Sequence, residues 1–347
     1  MGYYKERLRG ASAGAPHAGE TEDKKKGKQQ KKYTVSGYIN HCYPNAMTNY
    51  GEVMEELRKG YQKPVFSFEV GQYEILPDFD EIEGFHGVTR PDNLKYIQKQ
   101  VKEQGLEKVW KGYVEATGEL SKIGYREEIE AVMRTEQLSG ISLLGLQDFQ
   151  GQGTALVGMM NSHLQPKPYP FARPETFQKF FCSQLPLVYL PKYTYENTEN
   201  LRAEVKIANY GKQVIQGDLE YQLKGKDILL EGKLPKAISC PTGGLTNGGI
   251  IEIPFDDVRK ASRLDLTVSI GGIANTYPIW VYPPVHPVCP EGVYETTIFD
   301  KHARAVLKAG GKVYLSPTSS QEALPQSIQA QFTTDFWSVG TFPMQEG

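Results

Sequence analysis

Cysteine is scarce in this 347-residue sequence: Cys42, Cys182, Cys240 and Cys289 stand far apart and form no Cys-x-x-Cys pair. Histidine is thin as well. The six histidines (His17, His41, His86, His163, His286, His302) fall into no His-Glu-x-x-His or finger spacing, so no metal site is expected. His41 beside Cys42 invites a thiol–imidazole pair, but neighbours on a strand point to opposite faces, and a packed, inert thiol is the expectation. Long apolar runs are missing too. No stretch reaches about 18 apolar residues, and Met1-Gly2-Tyr3-Tyr4-Lys5-Glu6-Arg7 lacks the apolar segment of an export signal. Neither a membrane span nor a signal peptide is expected. Nor does one charge dominate: 39 Lys plus Arg face 41 Asp plus Glu, a formal charge of -2, which argues against a partner bound through phosphate neutralisation, so no nucleic acid is expected. Gly151-Gln152-Gly153 is followed by neither the rest of a dinucleotide fingerprint nor a Gly-Lys-Ser pair, and no cofactor is expected.

What the sequence does hold is enough apolar residue, 39%, to build cores. The length suggests two or three domains. Fourteen Phe, 21 Tyr and 3 Trp suit flat-ligand surfaces and β-rich cores alike. Residues 1–32 end in the polar run Asp23 to Lys32 and read as a loop or tail. From Tyr33 the texture changes. Gly37–Tyr43 is expected as a strand, Tyr50–Lys59 as a helix and Pro64–Tyr73 as a strongly apolar strand. Leu94, Ile97 and Val101 mark a helix stopped by Gly105. Two more helical runs follow, one marked by Leu106 to Tyr113 and one by Ile129 to Met133, and then a buried strand over Ile141–Phe149. Such alternation of strands and helices implies a parallel sheet or barrel over 33–180.

Beyond Pro174 the sequence becomes short strands punctuated by Tyr210-Gly211, Lys224-Gly225, Gly243-Gly244, Asn247-Gly248-Gly249 and Gly271-Gly272. The expected strands are Pro186–Leu190, Leu201–Asn209, Asp218–Leu223, Asp227–Lys233, Ile250–Phe255, Leu264–Ile270 and Tyr277–Tyr282, a rhythm that fits an immunoglobulin-like β-sandwich over 185–284. After Pro283-Pro284, a strand at Tyr294–Phe299, a helix at Asp300–Ala309 and a strand at Lys312–Ser316 read as a truncated α/β segment, 285–347.

Two places carry candidate chemistry. In Val65-Phe66-Ser67-Phe68-Glu69-Val70-Gly71-Gln72, alternation puts Phe66, Phe68 and Val70 on one face and Ser67, Glu69 and Gly71 on the other, leaving room around a carboxylate. A carboxylate in so apolar a strand costs several kcal/mol unless it is paired, which leaves a structural Glu–Arg pair and a functional site both open. Gln147 and Asp148 likewise follow an apolar strand, where sugar binding and loop capping are equal readings.

The run PVFSFEVGQYEILPDFDEI, from Pro64 to Ile82, together with LLGLQDFQGQGTALVG, from Leu143 to Gly158, resembles the later barrel strands of glycoside hydrolase family 2, the β-galactosidase-like group. The resemblance runs from about Arg7 to Pro284. It implies an α/β fold followed by all-β: a partial (β/α)8 TIM barrel, about strands six to eight, and then an immunoglobulin-like sandwich. It also implies a carbohydrate substrate, with Glu69 as the nucleophile of a retaining mechanism, Tyr43 as the tyrosine that hydrogen-bonds it, and Gln147 and Asp148 as residues binding sugar hydroxyls. The sequence departs from the family in having no Asn-Glu dipeptide for the acid/base residue and Leu164 where many members place a tryptophan. A retaining pair needs two carboxyls about 5–5.5 Å apart. The expectation is therefore a glycosidase fragment, inactive alone, whose partner is a missing N-terminal barrel half or sugar-binding domain. The alternative is a non-catalytic carbohydrate-binding or assembly module. Intact family members are often periplasmic or secreted; this sequence does not name its compartment.

Overall fold

The structure is a computed structural model that describes residues 16–21, 32–37, 46–71, 73–149, 156–285, 288–317 and 323–324. They fall into two compact units, one up to Pro283 and one from Pro284 onward. The class is mixed α/β with many β-sheets.

The first unit begins with an antiparallel pair, β1 (Pro16–Thr21) and β2 (Lys32–Gly37), so part of the stretch expected to be loop is strand. The expected strand Gly37–Tyr43 lies outside the described residues beyond Gly37. Helix α1 (Gly51–Arg58) buries Met54 and Leu57, one turn apart on a single face. Strand β3 (Phe66–Val70) pairs in parallel with β4 (Gly140–Leu143). A parallel pair needs a long crossover, here supplied by a 3₁₀ turn (Phe79–Gly84), α2 (Asp92–Glu103) and α3 (Trp110–Met133). Gly105, at φ +69°, closes α2 as its position suggested.

Helix α3 corrects one expectation. The second run and the Trp110–Tyr113 end of the first are parts of one continuous 24-residue helix, and Leu106 and Val109 precede it. Its middle carries glycines where the chain packs close: a Cβ on Gly118 would collide with the Phe171 ring, and one on Gly124 would lie 2.7 Å from the Tyr73 ring. The strand expected over Ile141–Phe149 is also shorter: beyond Leu143 it continues as isolated bridge positions at Gln147, which faces Met160, and at Phe149.

After a second 3₁₀ turn (Pro170–Ala172) and the short α4 (Pro174–Phe177), two sheets pack face to face. One has the order β12 (Gly244–Pro254), β7 (Asn200–Asn209), β5 (Gln184–Tyr189). The other has the order β10 (Leu229–Lys233), β9 (Glu220–Lys224), β13 (Ser262–Ile270), β14 (Ile273–Tyr282), β6 (Thr194–Glu196), with β6 parallel to β14. Alternate residues fill the space between them: Leu201, Ala203, Val205 and Ile207 from β7, Leu264, Leu266, Val268 and Ile270 from β13, Tyr277, Ile279 and Val281 from β14. Each fully buried aliphatic side chain contributes about 1.5–3 kcal/mol. A further short pair joins β8 (Ile215–Gly217) and β11 (Ile238–Cys240). Gly271 and Gly272, both at positive φ, make the two-residue turn between β13 and β14.

Helix α3 is bound to these sheets. Leu185, Leu187 and Tyr189 of β5 share a core with Tyr125, Ile129 and Met133, while Val188 points into the space between the sheets. Glu130, fully buried, accepts from Arg126 Nε (3.0 Å) and Asn275 Nδ2 (2.9 Å) at Oε1, and from Arg134 (2.6 Å) and Tyr277 Oη (2.8 Å) at Oε2. Burial pushes the Glu130 carboxyl up, but Arg126, Arg134 and the two neutral donors outweigh it and hold it below the usual range. One turn away Glu127 has a single close donor, Tyr193 Oη at 2.6 Å, and burial beside Glu130 pushes it up to about 7 against the pull of the two arginines.

In the second unit, β15 (Val293–Thr296) and β16 (Lys312–Leu315) are parallel, joined through α5 (Lys301–Lys308), whose first turn is capped by the Asp300 carboxylate accepting from Ala303 N–H at 2.8 Å.

Candidate active site

Strands β3 and β4 run the same way, so the segments leaving their C-terminal ends emerge side by side. The ladder matches Phe66 with Gly140 and Ser67 with Ile141, then Val70 with Leu143. Three steps on β3 oppose two on β4. The extra residue is a β-bulge over Phe68-Glu69, and it interrupts the regular alternation that the sequence implies for this strand. Val70 is buried against α3, as expected of the bulky face. Ser67 is 1% exposed, and its hydroxyl has no hydrogen-bond partner among the described residues. Glu69 lies in β3; its side chain, and all of Tyr43, lie outside the described residues.

The next turn is fixed by α3. Gly71 has φ +95°, and a Cβ there would collide with the Tyr125 ring. The buried Glu128 carboxylate accepts the Gly71 N–H at 3.1 Å. Tyr125 Oη, also buried, donates to the carbonyls of Val157 (2.9 Å) and Gly145 (3.3 Å).

On the β4 side, Gln147 is exposed and Asp148 is not. Asp148 Oδ1 accepts from Lys167 Nζ and from Gly158 N–H, both at 2.9 Å, in an ion pair whose side chains are 3% (Lys167) and 1% (Asp148) exposed. Gly158 is required there, since a Cβ would run into the backbone of Gln147 and Asp148. Burial raises the Asp148 carboxyl, and Lys167 and the Gly158 N–H partly offset it.

Two carboxylates near Asp148 went unassigned in the sequence. Asp78 accepts from Tyr169 Oη at 2.8 Å and from Asp80 N–H at 3.1 Å. Glu81, half-buried, is pushed up to about 7 by burial and by the Asp148 and Asp78 charges, against the pull of Lys167. A carboxyl that titrates near neutrality can give or take a proton at working pH. The only available signal was the density of acids in Asp78-Phe79-Asp80-Glu81; the partners Lys167 and Tyr169 lie far along the sequence. Among the described residues, no set of three His, Cys, Asp or Glu is arranged to hold a metal ion, and no helix is long and apolar enough to cross a membrane.

Residues 199–283 match a domain of unknown function, DUF8488, and residues 294–347 match another, DUF8487. No curated protein matches the sequence. Among solved structures, a β-D-mannosidase from Dictyoglomus thermophilum is similar over 53% of this chain and 21% of its own, at 16% identity and a TM-score of 0.36. A β-glucosidase from Listeria innocua in complex with gluconolactone is similar over 30% of this chain and 17% of its own, at 12% identity and a TM-score of 0.24. The sporulation control protein Spo0M from Bacillus subtilis is similar over 30% of this chain and 51% of its own, at 15% identity and a TM-score of 0.23. This chain thus spans about a fifth of the length of the two glycosidases.

Proposed function

We propose that the chain is part of a retaining glycosidase of the family 2 type, acting on terminal glycosidic bonds of glycans, with Glu69 as nucleophile. The observation that carries the reading is the bulge at Phe68-Glu69, at the C-terminal end of a strand parallel to β4. Bulges re-aim side chains beside active sites, and the C-terminal ends of parallel strands are where barrels build them. The resemblance of the Pro64–Ile82 and Leu143–Gly158 motifs supports the same assignment. In this reading 33–180 belong to a barrel and 185–284 form an immunoglobulin-like domain; the opposed sheets of strands support the latter.

Glu69 attacks the anomeric carbon, Tyr43 orients its carboxylate, and Gln147 and Asp148 hold sugar hydroxyls. Of these two, exposed Gln147 is the better placed for hydroxyls, and Asp148, committed to Lys167 and Gly158, anchors the loop that presents it. With no Asn-Glu dipeptide in the sequence, the reading takes its acid/base residue from barrel strands one to five, outside these 347 residues. The test uses aryl glycosides of galactose, glucuronic acid, mannose and rhamnose, with the chain alone and with a polypeptide carrying those strands. The chain alone is expected to be silent, since general acid catalysis alone is worth about 10²–10⁴ in rate. Turnover by the mixture is expected to vanish in Glu69→Gln. Turnover indifferent to Glu69→Gln overturns the nucleophile assignment. Turnover by the chain alone, lost in Glu69→Gln, puts the acid within the chain, with Glu81 and Asp148 the first to substitute. Saturable sugar binding with no turnover in either arm favours a non-catalytic module.

A further inference from the structure

One face of α3 is given over to the segment that follows β3. Ser121 Oγ donates to the Tyr73 carbonyl at 3.0 Å, Gly124 makes room for the Tyr73 ring, Tyr125 fills the space beside Gly71, and Glu128 accepts the Gly71 N–H. The spacing, 121, 124, 125 and 128, is that of one helical face. Apolar contact alone would bury this segment at less cost. A fully buried carboxyl has a large desolvation cost to repay, and its oxygen repays part of it by accepting the Gly71 N–H, which ties that peptide to the helix in a direction that packing alone does not fix. The Tyr125 hydroxyl adds a tie to Gly145, just after β4, and to Val157, beside the Gly158 that holds Asp148.

We propose that Tyr125 and Glu128 are positioning residues for Glu69: by locking the left-handed turn at Gly71 they fix the bulged Phe68-Glu69 pair and hold it in register with the loop carrying Gln147 and Asp148. The inference rests on the reading of Glu69 as the nucleophile and concerns how that carboxylate is aimed. Tyr125→Phe keeps the ring and loses both hydroxyl bonds. Glu128→Gln keeps an oxygen acceptor for Gly71, whereas Glu128→Ala removes it.

The test needs no substrate and uses the full chain. Exchange of the Gly71 amide is followed by NMR. The Glu69 carboxyl is labelled with a water-soluble carbodiimide and glycinamide, and the adduct is quantified by peptide mapping. In that reaction the carboxyl adds to the carbodiimide and the amine then displaces the urea to leave an amide. In Glu128→Ala the Gly71 amide is expected to exchange about two- to tenfold faster, the effect of losing one hydrogen bond. Labelling of Glu69 is expected to change by about twofold or more, the lower end of the effect of losing one hydrogen bond, while the exposed Glu252 labels as in the wild type. Glu128→Gln is expected to restore both readouts, and Tyr125→Phe to alter Glu69 labelling. Should Glu128→Ala fail to fold, the contrast between Glu128→Gln and Tyr125→Phe decides alone. Unchanged Gly71 exchange in Glu128→Ala overturns the lock. Faster exchange with wild-type Glu69 labelling shows a merely structural bond and overturns the positioning role. Failure of the glycosidase reading shows instead as sugar turnover indifferent to Glu69→Gln, a separate measurement.

Discussion

Replacing Glu130 by alanine isolates the joint between α3 and the two-sheet region. The carboxylate is fully buried and takes four hydrogen bonds, two of them from guanidiniums; the Arg134 side chain is 0% exposed and that of Arg126 14%. Removing it strands two cations and two neutral donors in a dry interior, and breaking a buried pair in this way costs about 3–5 kcal/mol. At about 2–4 °C per kcal/mol for a unit somewhat under 300 residues, Tm should fall by about 6–20 °C. Glu252→Ala is the control. Its pair with Arg202 has an N–O distance of 2.9 Å, close to the 3.0 Å between Arg126 and Glu130, but both side chains are about two-thirds exposed, so the expected loss is about 0–1 kcal/mol. The pH dependence gives a second check. Because the folded carboxyl is held below its ordinary value, its contribution is present above about pH 4.5 and is lost as pH falls through the depressed folded value. The Tm difference between wild type and Glu130→Ala should therefore narrow in acid. Equal Tm losses for Glu130→Ala and Glu252→Ala at neutral pH would refute the reasoning.

Glu127, pushed up to about 7, carries the opposite sign: the folded form holds its proton where the unfolded form has released it, so stability falls as pH rises from about 4.5 to about 7, and Glu127→Gln should flatten that slope in urea titrations. Gly71→Ala adds a Cβ against the Tyr125 ring at φ +95°; a left-handed non-glycine residue alone costs about 1–3 kcal/mol, and with the collision the midpoint of denaturation should drop beyond that, a result contradicted if the variant melts like the wild type. Asp148→Ala leaves buried Lys167 unpaired and should cost about 3–5 kcal/mol by chemical denaturation, whereas Gln147→Ala, on the exposed neighbour, should stay within about 0.5 kcal/mol. Leu164, exposed at φ +61°, is strained; Leu164→Gly should leave Tm unchanged or raise it slightly, and a clear fall would show that its side chain has a contact of consequence.

The strands of the two opposed sheets were legible because their interiors are written at period two: Leu264, Leu266, Val268 and Ile270 could serve no other element. Strands β6, β8 and β11 were not, because three residues leave no period to read. The unity of α3 was hidden by Gly118 and Gly124, which look like breaks and are points of close approach to Phe171 and Tyr73. In Arg126-Glu127-Glu128-Ile129-Glu130 only Ile129 marked the helix, yet all three glutamates are buried. What covers them, Asn275, Tyr277, Tyr193 and the Gly71 turn, is distant in sequence, and a local pattern carries no trace of it. The candidate site was legible in the same proportion. Asp148 stood out as a polar residue closing an apolar strand, but its commitment to Lys167 and Gly158 did not, and the bulge beside Glu69 falls where strict alternation was assumed.

The order of the two opposed sheets leaves four outer strands, β12, β5, β10 and β6, and none offers a straight run of open backbone to another chain. Pro186 deprives β5 of a donor, the irregularity between Asn247 and Gly249 bends β12, Glu231 and Lys233 charge β10, and β6 stops after three residues. A templated fibril or an exchanged strand would have to begin by straightening one of these. Pro186→Leu or Pro186→Val would return the missing donor to β5, and because position 186 is buried and its carbonyl accepts from Asn275 Nδ2, the change would also have to repack the layer between β5 and its neighbours.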